Sequence, residues 1–155
     1  MTVVSVFALD QITKYLIIFK MEVGDRIEIL PIFNIVHYKN KGAAFGMFHD
    51  SSPTFRLVFF GLVTIACVFY LVWSLATTPE ADKFYRFIIA LILGGALGNV
   101  KDRMIFQQVT DFLDFHWGIE HFPAFNVADM AITSGVSLMI LQYLIAHSRH
   151  RRKKR

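Results

Sequence analysis

"LVFFGLVTIACVFYLVWSLA", residues 57 to 76, runs for twenty residues without a charged side chain. At about 1.5 Å of rise per residue, a helix of that length covers about 30 Å, the thickness of a bilayer's hydrocarbon core. Three further apolar runs stand beside it. Residues 130 to 146 are seventeen uncharged residues, lengthened by "NVAD" before them. Residues 84 to 100 carry Arg86 near one end, where a long side chain can snorkel. Residues 3 to 19 are interrupted by Asp10, Gln11 and Lys14. A signal peptide is the rival reading of this last run, but it lacks a basic leading region and a small-x-small cleavage site. The pattern predicts an all-α membrane protein with four transmembrane helices.

Composition agrees with that class. Of 155 residues, 55% are hydrophobic and only 18% charged, against about a quarter in soluble domains. The net charge of +4 is a property of the tail, since six of the sixteen Lys and Arg lie in "RHRRKKR", residues 149 to 155. A basic segment at 148–155, after an apolar helix, marks a cytoplasmic membrane face and not a nucleic-acid surface. Cys67 is the only cysteine, so no intrachain disulfide forms, and its apolar surroundings predict a buried structural thiol.

The connections differ from one another. "TTPEADK", residues 77 to 83, reads as a tight polar turn. Residues 20 to 55 hold alternating stretches such as "RIEILPIFNIVHY" and a Gly-rich turn, which predict a small β-rich extramembrane element. Residues 104 to 124 contain no Lys or Arg and three acidic groups, and Pro123 stops them before the last helix. With the tail inside and four spans, both termini are cytoplasmic and the 104–124 loop lies outside. The five Lys and Arg between residues 20 and 56 run against that orientation. "HWGIEH", residues 116 to 121, spaces its histidines wrongly for one helical face and reads as a surface loop with an interfacial Trp117.

The carboxylates among apolar residues are the functional candidates, because a charge at the bilayer centre costs about 2.5–3.5 kcal/mol on insertion scales. Each has a plain alternative. Asn126 and Asp129 read as a helix N-cap and a variant capping box. Asp102 beside Arg103 reads equally as an ion pair at a helix end. What distinguishes Asp111, in "VTDFLDF" (residues 109 to 115), and Asp129, in "FNVADMAI" (residues 125 to 132), is that the topology brings both to the outer membrane edge. Two poorly solvated carboxylates share one proton, as an aspartic protease requires: one activates water while the other polarises the scissile carbonyl. Asp114 lies three positions beyond Asp111 in an extended segment, so it faces away and reads as solvated or structural. No H-E-x-x-H supports a zinc protease, and no Gly-x-Ser-Gly a serine nucleophile. "GGALGN" is a packing feature in which Gly94 and Gly98 form a small-xxx-small pair.

These residues together resemble the bacterial signal peptidase II (lipoprotein signal peptidase) family over almost the whole chain. The likeness rests on "DQITK" (residues 10 to 14), "NKGAAFG" (40 to 46), "GGALGNVKDR" (94 to 103), "VTDFLDF" and "FNVADMAI", in the family's order. It implies one integral-membrane peptidase domain over residues 1–155. In that domain residues 20–55 form a periplasmic β-cradle between helices 1 and 2, and a periplasmic loop or short helix joins helices 3 and 4. A folded cradle removes the difficulty over its basic residues.

The resemblance further implies an aspartic endopeptidase of the inner membrane, without cofactor or metal, that cuts diacylglyceryl-modified prolipoproteins just before the lipidated cysteine. By motif, Asp111 and Asp129 match the catalytic pair. Asn40, Gly42, Asn99, Arg103 and Asn126 match substrate-site positions, and Asp10, Lys14, Asp102 and Ala128 match structural support. Expected partners are the prolipoproteins and membrane lipid, with no nucleic acid; globomycin-type peptide antibiotics are expected inhibitors, and the chain is expected to be a monomer. Gly42, Ala43 and Ala44 suit a loop lying close to an extended peptide, although a tight turn explains Gly42 equally. Nine residues precede Asp10, fewer than the family's first helix usually has, which leaves the true start open. A proton- or ion-coupled transporter, relaying through Asp10, Asp102 and Asp129, is the alternative from another class. A non-catalytic membrane scaffold is a third.

Overall fold

Every apolar run folds as a helix. The computed structural model describes residues 1–41 and 52–153. Helix α1 spans Thr2–Lys20, α2 Pro53–Thr77, α3 Lys83–Phe106 and α4 Val127–Lys153. Three helices are long and apolar enough to cross a membrane among the described residues: Thr2–Lys20, Lys83–Phe106 and Val127–Ser148. Helix α2 contributes a shorter apolar stretch, Gly61–Thr77.

Helix starts follow local chemistry. Ser52 accepts the Phe55 amide at 3.1 Å with Pro53 at the first helical position, and Asp82 accepts the Tyr85 amide at 3.1 Å. Arg86 Nη1 donates to the carbonyls of Leu75 (3.3 Å) and Thr78 (2.7 Å), satisfying acceptors left open at the end of α2.

Helix α3 is the centre of the bundle and packs against α1, α2 and α4. Its Ile88, Ile89, Ile92 and Leu93 form the apolar core with Leu71 of α2. The glycine reading is borne out and extended. A Cβ on Gly94 would lie 2.8 Å from Val6 Cβ, and one on Gly98 would strike the Asp10 carboxylate, so this face seats α1. Gly95 turns to α4, where a Cβ would strike the Ala128 carbonyl. Cys67 is exposed on α2, not buried, because among the described residues α2 packs on the bundle only against α3.

The β element is larger than sequence reading suggested. Strands β1 (Arg26–Leu30) and β2 (Phe33–Asn40) fall in the expected insertion. The connection between α3 and α4, expected as a loop or short helix, instead supplies β3 (Val109–Trp117) and the short β4 (Glu120–His121). All four strands pair antiparallel in the order β1-β2-β3-β4. The physical reason is that "VTDFLDFHW" is rich in β-branched and aromatic residues, while β2 offers an edge whose backbone groups need partners. "HWGIEH" is accordingly a hairpin. Trp117 pairs with Glu120, and Gly118 at φ +61° takes the first turn position that a tight hairpin reserves for glycine.

One irregularity positions the site. Between Ile35↔Leu113 and Tyr38↔Asp111 the register shifts, so β2 holds one residue more than β3. Asn34 and Asn40 are six apart and would share a sheet face; Asp114 and Asp111 are three apart and cannot. The bulge reverses the parity of β2, so Asn34 meets Asp114 on one face and Asn40 meets Asp111 on the other.

Candidate active site

The site is assembled where α1, α3, β3 and the start of α4 converge. Asn126 and Asp129 form the capping box that their spacing suggests. Asn126 Oδ1 accepts the Asp129 amide (3.0 Å), and Asp129 Oδ2 accepts the Asn126 amide (3.2 Å). The cap has a second use, because Asn126 Nδ2 donates to Asp111 Oδ1 at 2.7 Å. One fully buried amide therefore ties Asp129 on α4 to Asp111 on β3. Asn40 Nδ2 donates to the other Asp111 oxygen at 3.0 Å, and Asn99 Nδ2 donates to Asp129 Oδ1 at 2.8 Å.

Behind the pair lies a charged cluster that orients it. Lys14 is 2% exposed, and its three ammonium protons find three acceptors: Asp10 Oδ2 (2.9 Å), Asp102 Oδ2 (3.0 Å) and Asn99 Oδ1 (2.9 Å). The last contact sets the Asn99 amide. With its oxygen turned to the ammonium, its NH₂ points to Asp129. Asp10 Oδ1 accepts the amide of Ala128 at 2.9 Å, so α1 caps α4 in trans. Gln11 Nε2 bridges Asp10 (3.0 Å), the Gly98 carbonyl (3.2 Å) and Asp102 (3.3 Å). Burying these ions is tolerable only because each is paired and hydrogen-bonded.

Asp102 is thus paired with Lys14, not with Arg103 as its sequence neighbour suggested. A helix turns about 100° per residue, which directs Asp102 into the bundle and its neighbour elsewhere. Arg103 is half-buried near the end of α3, and its guanidinium makes no hydrogen bond or ion pair among the described residues. Gly42 lies outside the described residues.

Two carboxyls three positions apart on β3 have opposite electrostatics. Asp111 is pushed up to about 6, chiefly by burial and further by the negative charge of Asp129, against the hydrogen bonds from Asn40 and Asn126 and the field of Lys14. Burial also raises Asp114, but hydrogen bonds from His121 and Asn34 and the charges of His121 and Arg26 outweigh it and hold it below the usual carboxylate range. Asp114 faces away from Asp111 as expected, yet it is 2% exposed and not solvated. Asn34 donates to it at 2.7 Å and His121 Nδ1–H at 2.8 Å.

Sequence reading missed Gln11, Asn34 and His121. Gln11 had a signal in the polar "DQITK" break of an apolar helix. Asn34 and His121 had none, because their roles depend on strand register.

A sequence model described as signal peptidase (SPase) II matches residues 2–145. The chain is 43% identical over 141 residues to the lipoprotein signal peptidase of Maridesulfovibrio salexigens, covering 90% of each chain. It is 43% identical over 135 residues to that of Pasteurella multocida, covering 87% of this chain and 81% of the relative. A solved structure described as a bacterial membrane enzyme, at 2.3 Å resolution, superposes with a TM-score of 0.84 at 36% identity, over 96% of this chain and 88% of that one. A second, at 1.9 Å, gives 0.80 at 37% identity over 92% and 90%. With a family model spanning nearly the whole sequence and relatives this similar over most of their length, the chain belongs to the signal peptidase II family.

Proposed function

We propose that the protein is an aspartic endopeptidase that removes signal peptides from diacylglyceryl-modified prolipoproteins, with Asp111 and Asp129 as its catalytic pair. Family membership supports prolipoprotein cleavage. The observation that carries the aspartic chemistry is Asn126, whose side-chain amide donates to the Asp111 carboxyl and whose backbone amide donates to the Asp129 carboxyl, binding the two into one unit. Burial of Asp111 beside the negative Asp129 favours Asp111 as holder of the shared proton.

In this reading Asp129 takes a proton from water as the hydroxyl attacks the scissile carbonyl carbon. Asp111 donates its proton to the developing oxyanion. The tetrahedral intermediate then collapses: the C–N bond breaks, the proton held by Asp129 goes to the leaving amine of the lipidated cysteine, and one hydroxyl of the gem-diol returns its proton to Asp111 as the new carboxyl forms. Asn40 and Asn99 hold the carboxyls in place, Asn126 joins them, and Arg103 offers an uncommitted guanidinium to substrate carbonyls or lipid head groups. Gly42 belongs to the same proposed substrate site, and Asp10, Lys14, Asp102 and Ala128 support it.

The setting completes the proposal: a single monomeric domain over 1–155, four spans across the bacterial inner membrane, and both termini cytoplasmic. The sheet and the aspartates lie at the periplasmic face, and globomycin-type peptides compete for the site. A transporter relay through Asp10 and Asp102 is disfavoured, since both are committed to Lys14.

The test is cleavage of one precursor by purified protein in detergent. Lipidated precursor should be cut rapidly, with EDTA present or absent. Unlipidated precursor should be cut far more slowly, because two acyl chains, at about 0.8 kcal/mol per buried methylene, hold the cysteine at one depth. Asp111→Asn and Asp129→Asn should each abolish the reaction. Activity lost to EDTA and restored by zinc would overturn the mechanism, and equal rates on both precursors would overturn the account of substrate selection.

A further inference from the structure

The sheet carries a second concavity that the catalytic pair does not use. A cleft of about 310 Å³ is lined by Arg26, Tyr38, Asp114, His121, Phe122, Pro123 and Ala124. It adjoins the aspartates in two ways. Tyr38 is the register partner of Asp111 on the neighbouring strand, and the segment from Phe122 to Ala124 leads into Asn126. Phe125 closes that segment onto β3, with its carbonyl accepting the amides of Phe112 (3.0 Å) and Leu113 (2.9 Å).

The charges in the cleft are unequal. Asp114 is occupied by Asn34 and His121, and those contacts offset its negative charge. Arg26 is exposed and, among the described residues, its guanidinium makes no hydrogen bond or ion pair; it acts on Asp114 only through its field. Glu28 and Glu120 are exposed on β1 and β4 but do not line the cleft. A ligand group entering the cleft therefore meets one uncommitted cation between apolar walls made by Phe122, Pro123 and Ala124.

We propose that this cleft is a subsite for the precursor residues just downstream of the lipidated cysteine, and that Arg26 gives it a preference for an acidic side chain. The inference rests on the peptidase reading above. A signal peptide is apolar and suits the helical bundle, whereas the mature chain leads away from the lipid, along the sheet. The reach is right as well. From Asp111 to Asp114 is three residues of strand, about 10 Å at roughly 3.3 Å each, with the side chains on opposite faces, so an extended substrate needs at least three residues to pass from the pair by way of Tyr38 into the cleft.

The experiment uses diacylglyceryl-modified precursors that differ only in carrying Glu or Lys at the second to fourth positions after the cysteine. Their kcat/KM is measured at low ionic strength with wild-type protein and with Arg26→Glu. Wild type should favour the acidic precursor about fivefold, the upper range of an exposed ion pair, and Arg26→Glu should invert the order. If Arg26→Glu does not fold, Arg26→Gln should level the two rates. Precursors cut with the same preference by wild type and variant, or with none by either, would overturn the subsite while leaving the peptidase intact. Failure of wild type to cut any lipidated precursor would overturn the peptidase reading and this inference with it.

Discussion

Asp111 is held in a place that disfavours its charge, so removing the charge should stabilise the protein while ending catalysis. Its carboxyl rises from the ordinary 3.8 to about 6. At about 1.36 kcal/mol per pH unit, that rise corresponds to about 3 kcal/mol of folding free energy at neutral pH. The sign is set by proton binding. Below 3.8 the carboxyl is protonated in both folded and unfolded chains and there is no penalty. Between 3.8 and about 6 the folded protein keeps a proton that the unfolded chain has lost, so stability falls as pH rises. Above that window the whole penalty is present. Asp111→Asn cannot ionise and escapes it, but its NH₂ opposes one of the two donors, Asn40 or Asn126, at a cost of about 1 kcal/mol. The net gain at pH 7.5 should be about 1–2 kcal/mol, a rise of a few degrees in Tm for a chain of this size. Thermal melts of wild type and Asp111→Asn in one detergent, from pH 4 to pH 8, should show the variant ahead at pH 7.5 and the difference vanishing near pH 4. A variant that melts below wild type at pH 7.5, or a difference independent of pH, would refute the reasoning. The stability given up at this one residue is what a shared-proton mechanism requires.

The charged cluster makes a harsher prediction. Lys14→Met leaves Asp10 and Asp102 without the cation they share, with only the more exposed Lys101 at 3.7 Å from Asp102, and should cost about 3–5 kcal/mol, seen as a collapse in Tm or in the yield of folded protein. Arg103→Ala should lower cleavage while leaving the melting point unchanged, since its guanidinium has no partner among the described residues; a large drop in Tm would instead assign it a structural role. Asp114→Asn should keep most activity, because Asp114 faces away from the pair, but should lose about 2 kcal/mol of stability at neutral pH. That loss should shrink as pH falls through the lowered range of Asp114, where wild type also loses the charge; activity as dead as in Asp111→Asn would show that the wrong carboxyl was paired with Asp129.

What was legible in the sequence is what short-range chemistry determines. Helix α2 declared itself by twenty uncharged residues, and Asn126 and Asp129 by capping-box spacing. Gly94 and Gly98 showed as a small-xxx-small pair, and Asp114 was turned from Asp111 by the alternation of a strand. Each depends on residues within a turn or two of one another, where backbone geometry alone decides which side chains meet.

Tertiary structure decided the rest. Residues 109–117 became a strand because β2, some seventy residues earlier, had an edge to fill, and no local pattern states where a strand finds its partner. The single-residue bulge in β2 then settled which asparagine serves which aspartate. Lys14 lies one helical turn from Asp10, which spacing could reveal, but its bond to Asn99 joins residues 85 apart, and the bond from Ala128 to Asp10 spans 118. Buried polar groups must all be satisfied at once, and which distant partner satisfies each is settled only when the helices and the sheet close on one another. The sequence by itself determined which side chains could do the chemistry. Packing determined that Asp111 and Asp129 are both held by Asn126, one through its side chain and the other through its backbone, and that Asp111 is buried enough to hold a proton.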